Sequence, residues 1–255
     1  MSHDSKSDIL LPSEMDRYQE TWDELGRTDP FWAVLSSSTK TDNRLQPEDF
    51  FATGVTEIES LMEYLDSLGV STERQKALDF GCGLGRLTSP LTKFFATCTG
   101  VDISGSFIEL AKKYHAKNTK CTFLVNRSKD LAIFNDNEFD LIYSNIVLQH
   151  MRPAFSLNYI HEFLRILKTK GILVFQVPRH RISLVGRFKQ AFKEFCPDWI
   201  ISQFGEKRIM EMHGIREKKL TKFVQKRHGR IIDIVEDRAA GYDWKSYRYC
   251  IRKHE

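Results

Sequence analysis

The 255-residue chain is 41% hydrophobic and 28% charged, ordinary for a globular protein and long enough to bury one large core. No apolar run approaches the roughly 20 residues that cross a bilayer, and the polar, acidic start MSHDSKSDILLPSEMD does not read as a secretion signal. The net charge of +4 is unevenly divided: residues 1–178 carry 19 basic and 24 acidic side chains, residues 179–255 carry 19 and 10.

In chain order, residues 13–27 read as a helix, with Ser13 as N-cap and Gly26 near its end. A polar loop at 36–49 follows, then Ile58, Leu61, Met62, Leu65 and Leu68 recur at helical spacing up to Gly69. From there short apolar strands alternate with helices. KALDF (76–80) is a strand, 85–96 a helix, TCTGVD (97–102) a strand and 104–117 a helix capped by Ser104. KCTFLV (120–125) and FDLIYS (139–144) are strands, Leu157 to Leu167 marks a helix, and GILVFQV (171–177) is an almost wholly apolar strand. Strands without a polar face predict a parallel sheet covered on both sides, an α/β doubly wound domain. A helix at 215–229 and two strands at 230–236 and 244–252 close it as an antiparallel pair at one edge.

Residues 178–214 interrupt the alternation. Val185, Phe188, Phe192 and Phe195 would share one helix face there, with Arg187, Lys189 and Lys193 elsewhere around it. This insertion reads as a lid over a site, with a membrane-surface element as the alternative. Cys82, Cys98, Cys121, Cys196 and Cys250 are odd in number and lack CxxC spacing. They indicate neither a disulfide framework nor a zinc site, and favour a reducing cytoplasm. The basic last third suits an anionic substrate, a nucleic acid or a membrane surface, or it is a solvated lysine-rich face.

The chemistry concentrates in ALDFGCGLGRLT (77–88). Gly81, Gly83 and Gly85 each cost about 1 kcal/mol in a helix, so they predict a strand-to-helix turn that exposes N–H groups and admits a ligand closely. A dinucleotide fingerprint G-x-G-x-x-G would need a third glycine where Arg86 stands; the spacing here is G-x-G-x-G. Asp102, at the end of the next strand, is placed to accept both hydroxyls of a ribose; its other reading is a helix cap, which Ser104 already supplies. Asn126 and Arg127 follow the third strand, where an adenine edge would lie, or form an ordinary turn. Ser144, Asn145, Gln149 and His150 follow the fourth strand, at the end where open α/β sheets bind ligands.

The series LDFGCGLGRLT, GVDIS, FLVNRS, FDLIYSNIVLQHM and GILVFQVP resembles the class I S-adenosylmethionine-dependent methyltransferases, over about 70–180 and, with the closing elements, to roughly 253. The resemblance implies a seven-stranded Rossmann-like sheet in the order 3-2-1-4-5-7-6 with the last strand antiparallel. It implies a helical N-terminal extension at 1–69 capping a methyltransferase domain at 70–255. It also implies S-adenosylmethionine as cofactor, leaving as S-adenosylhomocysteine. Asp79, Phe80, Gly81, Cys82, Gly83, Gly85 and Arg86 would contact the methionyl part, Asp102 the ribose, Ile103, Asn126 and Arg127 the adenine side, and Ser144 and Asn145 the strand end beyond. In the cap, Trp22, Trp32, Phe50 or Phe51 would approach the cofactor or substrate, or simply pack on the core.

Methyl transfer from a sulfonium needs chiefly orientation and desolvation. A base enters only where the acceptor must lose a proton, and His150 is the first candidate, with His213 (Glu211 orienting it, or instead binding a cationic acceptor) and then His180 after it. No metal site is expected. The expected acceptor is an oxygen or nitrogen of a small or medium-sized metabolite, such as a sugar or lipid-linked precursor. RNA or protein as acceptor, and a non-enzymatic cofactor sensor, are the alternatives; no DNA partner is expected.

Overall fold

The computed structural model describes residues 14–34, 46–182 and 211–254. The elements are α1 (Glu14–Thr28), α2 (Pro30–Val34), α3 (Pro47–Ser67), β1 (Lys76–Phe80), α4 (Thr88–Leu91) and β2 (Thr97–Asp102). There follow α5 (Gly105–Tyr114), β3 (Cys121–Val125), β4 (Phe139–Ser144), a 3-10 turn (Leu148–His150), α6 (Pro153–Ile166) and β5 (Leu167–Arg181). The chain closes with α7 (Glu217–Gln225), β6 (Gly229–Asp237) and β7 (Trp244–Lys253). The seven strands form one sheet in the order β3-β2-β1-β4-β5-β7-β6. β1 to β5 run parallel, and β7 runs antiparallel to both β5 and β6. The expected fold class and strand order are therefore those of the molecule.

The apolar strands are double-faced because both sides of the sheet are covered. All of β4 is buried, as is β5 from Gly171 to Pro178. One face, with Leu78, Phe80, Ile142 and Phe175, packs on Ile160 and Phe163 of α6 and Leu220 of α7. The other, with Ala77, Leu141, Ile172 and Val174, packs on Ile58, Leu61 and Leu65 of α3. Each such aliphatic side chain removed from water contributes about 1.5–3 kcal/mol, so α3 is held by the same burial that holds the sheet.

The expected helix ends differ where tertiary contacts override local signals. α3 begins eleven residues before Ile58, at Pro47, where proline at the first helical position and Glu48 and Asp49 in the first turn favour a start. The helix expected over 85–96 shrinks to Thr88–Leu91 flanked by turns. α1 ends at Thr28, with Gly26 near its end as expected, and a Cβ on Gly26 would collide with the Ser106 hydroxyl of α5. Of the expected insertion at 178–214, residues 178–181 extend β5, and residues 183–210, including Phe188, Phe192, Phe195 and Cys196, lie outside the described residues. Ser13 and most of the loop at 36–49 lie outside them as well.

Candidate functional site

A cleft of about 950 Å3, counting its open mouth, lies at the carboxyl ends of β1, β2 and β4 and is roofed by α1 and α2. Its floor is the glycine turn. Gly81, Gly83 and Gly85 have φ of 74°, 51° and 78°, in the left-handed region that side chains resist. The missing side chains make room for the protein itself. A Cβ on Gly81 would strike Val147, one on Gly83 would lie 2.7 Å from Val34, and one on Gly85 would lie 2.8 Å from the His115 and Phe123 rings. The turn's N–H groups are also spent internally. Gly81 and Cys82 donate to the Val101 carbonyl, Gly83 donates to Asp102 Oδ2 and Gly85 to the Cys82 carbonyl. The sequence reading of a cradle of exposed N–H groups is thus corrected: these four donors offer nothing to a phosphate.

Asp102, at the end of β2, is the carboxylate of the cleft lining. Gly83 N donates to its Oδ2 and Ser104 N to its Oδ1, each at 2.9 Å. Burial raises its pKa, while these backbone donors oppose the rise. The Ile103 N–H acts on it as well, and three donors leave the carboxylate, with about four acceptor sites, some capacity to accept. Ile103 lies beside it in the lining, and Asn126 opposite. Both hydrogens of the Asn126 amide are used, on the Ser128 and Asp130 carbonyls at 3.2 and 2.8 Å, so Oδ1 is what remains to accept. Arg127 is exposed and is not part of the lining.

Three other expected site residues face away from the cleft or are already engaged. Asp79 accepts from Thr88 Oγ1 at 2.6 Å behind the turn, where burial raises its carboxyl to about 7. Ser144 donates to the Phe80 carbonyl and is fully buried. Arg86 reaches the lining but is bound to Glu57 Oε2 at 2.7 Å and Thr53 Oγ1 at 3.3 Å. Glu57, on α3, also accepts from Tyr143 OH at 2.8 Å and Asn145 Nδ2 at 2.7 Å. This acid was missed in the sequence, since nothing in the α3 pattern marks it apart from its neighbours Glu59 and Glu63.

The roof is fixed at both ends. Near its C-terminal end α1 presents Asp23 to α5: Asp23 Oδ1 accepts from Ser104 Oγ at 2.8 Å and Ser106 N at 3.1 Å. Near its start Tyr18 OH accepts from Arg152 N and donates to Glu14 Oε1, both at 3.1 Å, while Arg152 Nε pairs with Glu14 at 2.9 Å. Between these ties Met15, Tyr18 and Trp22 line the cleft. Of the four cap aromatics singled out, only Trp22 does so. Phe50 is fully buried, Phe51 packs on Tyr114 and His115, and Trp32 is exposed.

His150 also lines the cleft, edge-on to Trp22. Its Nδ1 is 3.0 Å from the Glu211 carbonyl, so Nδ1–H donates, and its Nε2 faces the Gln149 amide nitrogen at 3.1 Å. The Gln149 amide is fixed in turn by Gln176, whose own amide nitrogen donates to Ser246 Oγ at 2.6 Å. Burial lowers the His150 pKa to about 4. Neutral, with both nitrogens occupied, it is not the free base expected of it. His213 does not reach the lining; its Nε2 is 3.3 Å from Glu211 Oε2. His180 pairs across the sheet with Lys245 on β7, away from the lining. Among the described residues no three His, Cys, Asp or Glu side chains are grouped to hold a metal, and no helix is long and apolar enough to cross a membrane.

Residues 78–175 match the family described as "Methyltransferase domain". The uncharacterized methyltransferase sll0829 of Synechocystis is 34% identical over 119 residues, 47% of this chain and 53% of that protein. Ubiquinone biosynthesis O-methyltransferase of Pelagibacter ubique is 32% identical over 98 residues, 38% of this chain and 40% of that protein. The aligned stretches thus span about half or less of these relatives. In fold, magnesium protoporphyrin IX methyltransferase of Synechocystis PCC 6803, solved with bound SAH, matches 94% of this chain and all of its own, with a TM-score of 0.63 at 16% identity. A SAM-dependent methyltransferase of Leishmania major gives a TM-score of 0.65 at 18% identity, over 95% of this chain and 87% of its own.

Proposed function

With residues 78–175 matching the methyltransferase-domain family, we propose that the protein binds S-adenosylmethionine in this cleft and moves its methyl group to an oxygen or nitrogen of a small or medium-sized metabolite. The observation that carries the reading is the Asp102 carboxylate, steadied by Gly83 and Ser104 N–H groups beside a turn whose donors are spent. Such a floor suits hydroxyls and a cation and disfavours a pyrophosphate, which needs free N–H groups. The fit extends to the base: Ile103 offers an apolar face, and the Asn126 oxygen accepts from an amino group.

When bound, S-adenosylmethionine supplies an electrophilic methyl group on a sulfonium centre. The protein's own part is placement and exclusion of water. Asp102 anchors the ribose hydroxyls, Phe80, Cys82 and Val101 wall the floor, and the roof residues Met15 and Trp22 keep solvent from the reacting atoms. His150 holds a fixed neutral ring in the wall through Gln149 and the Glu211 carbonyl.

Calorimetry decides the reading. Micromolar binding of S-adenosylmethionine and S-adenosylhomocysteine, with none of NADH, is the expected result; the reverse selectivity overturns it. A screen of metabolites for methyl transfer then identifies the acceptor.

A further inference from the structure

The Glu57 carboxylate gathers three donors that come from three separate places. Arg86 Nη2 arrives from the end of the glycine turn at 2.7 Å, Tyr143 OH from the penultimate residue of β4 at 2.8 Å, and Asn145 Nδ2 from the residue just beyond β4 at 2.7 Å. Only Asn145 and Arg86 among these also line the cleft. A carboxylate can only accept, so the nitrogen of the Asn145 amide must face it. The amide oxygen is thereby turned away from Glu57, and among the described residues it makes no hydrogen bond. Tyr143 keeps its proton, because burial and Glu57 push its hydroxyl pKa well up, and donates it to Glu57.

The amide of Asn145 is therefore set by a residue that lies in α3, outside residues 78–175. The α3 backbone is itself pressed onto the turn at this point. A Cβ on Gly54 would collide with the Arg86 carbonyl, so the helix approaches as closely as glycine permits, one turn before Glu57.

Resting on the methyltransferase reading, we propose that Glu57 is a positioning residue. It turns Asn145 so that Oδ1 accepts the proton of an O–H or N–H methyl acceptor and aims the lone pair of that oxygen or nitrogen at the methyl carbon. In the transfer the new O–C or N–C bond forms as the C–S bond breaks, and the bonding pair leaves on sulfur. The methylated acceptor carries its proton until release and gives it up to bulk water there, since an amide oxygen orients a proton without taking it. A carboxylate has no proton to give this oxygen, so carboxylates are selected against.

The test uses the full chain saturated with S-adenosylhomocysteine and three probes: phenol for O–H, benzylamine for N–H and benzoate for the carboxylate. Asparagine side-chain amides are followed by nitrogen-15 NMR, and Asn145→Ala identifies the Asn145 pair. Phenol or benzylamine is expected to bind and to move the Asn145 signals, whereas benzoate should leave them in place. Glu57→Gln is expected to move the Asn145 signals without probe, to weaken phenol or benzylamine binding tenfold or more, and to keep S-adenosylhomocysteine affinity within about twofold. Probe binding unchanged in Glu57→Gln overturns the proposal, as does benzoate binding better than phenol and benzylamine. Failure of both phenol and benzylamine to bind also overturns it. If Glu57→Gln does not fold, Asn145→Ala, which leaves the Arg86 and Tyr143 bonds to Glu57, must show the same loss of probe binding. Failure of S-adenosylhomocysteine itself to bind would strike the methyltransferase reading, a result separate from any of these.

Discussion

Ser104 Oγ donates to Asp23 Oδ1 at 2.8 Å, and the backbone N–H of the same serine donates to Asp102 Oδ1 at 2.9 Å. One residue thus ties the roof helix to the carboxylate of the cleft. Ser104 Oγ also accepts from Phe107 N as the N-cap of α5. The cap, the roof and the cleft are a single hydrogen-bonded unit, and loosening one loosens the others.

Removal of the roof tie should be measurable as stability. Burial pushes the Asp23 pKa up, but the hydrogen bonds from Ser104, Ser106 and Gln19 outweigh it and leave it below the ordinary value of 3.8. A carboxyl depressed on folding stabilises the fold above its unfolded pKa, and that stability is lost as pH falls through the folded value. Asp23→Ala is expected to cost about 0.5–2 kcal/mol at neutral pH, as loss of a helix-end acceptor does. Thermal unfolding followed by circular dichroism should show the difference from wild type shrinking below pH 4.

His150 also loses its contribution as pH falls, in a higher window. Burial lowers its pKa to about 4 from 6.5, so between these values the unfolded chain binds more protons than the folded one. Its contribution to stability is fully present above pH 6.5 and falls away toward pH 4. Melting curves across pH 4–7 should be shallower for His150→Gln than for wild type. Turnover, once an acceptor is known, should lack a limb near pH 6.5 arising from this ring; such a limb, abolished in the variant, would restore the general base.

Gly54 sets two known effects against each other. Alanine is favoured over glycine by about 1 kcal/mol inside a helix, yet here its Cβ would meet the Arg86 carbonyl and lie 2.7 Å from Arg86 Cγ. Overpacking of that kind costs roughly 1–3 kcal/mol and should win. Gly54→Ala is expected to lower the Tm by a few degrees, read by thermal unfolding. A rise in Tm would mean α3 can slide away from the turn.

In the proposed reading Asp102 accepts from both ribose hydroxyls, and Asp102→Ala removes that acceptor. Each charge-assisted bond lost is worth about 1.5–3 kcal/mol, so the Kd for S-adenosylhomocysteine should rise roughly 100-fold or more. Asp102→Asn should fall between, because one amide oxygen still accepts. Calorimetry at neutral pH checks both.

Much of the fold was legible because buried parallel strands leave an unmistakable pattern. KALDF, TCTGVD and FDLIYS coincide with β1, β2 and β4 to the residue. The site was legible only in part. Asp102, Asn126 and His150 stand where strand ends place them, in the cleft lining. Asp79, Ser144 and Arg127 do not, because adjacent residues at a strand end face different sides and spacing alone does not say which. Gln176, which fixes the Gln149–His150 pair, carried no signal inside an apolar strand.

The sequence by itself determined the strands, the glycine turn and the position of Asp102, because these follow from apolar runs, helical periodicity and obligatory positive φ; the strand order was implied by the family resemblance. Tertiary structure decided what each polar group faces. It spent the turn's N–H groups on Val101, Asp102 and Cys82, filled both nitrogens of His150, and carried Glu57 across from α3 to hold Asn145. Hydrogen bonds such as His150 to Glu211 and Asn145 to Glu57, 61 and 88 positions apart, leave no periodicity to read; only the packed chain brings their partners within reach.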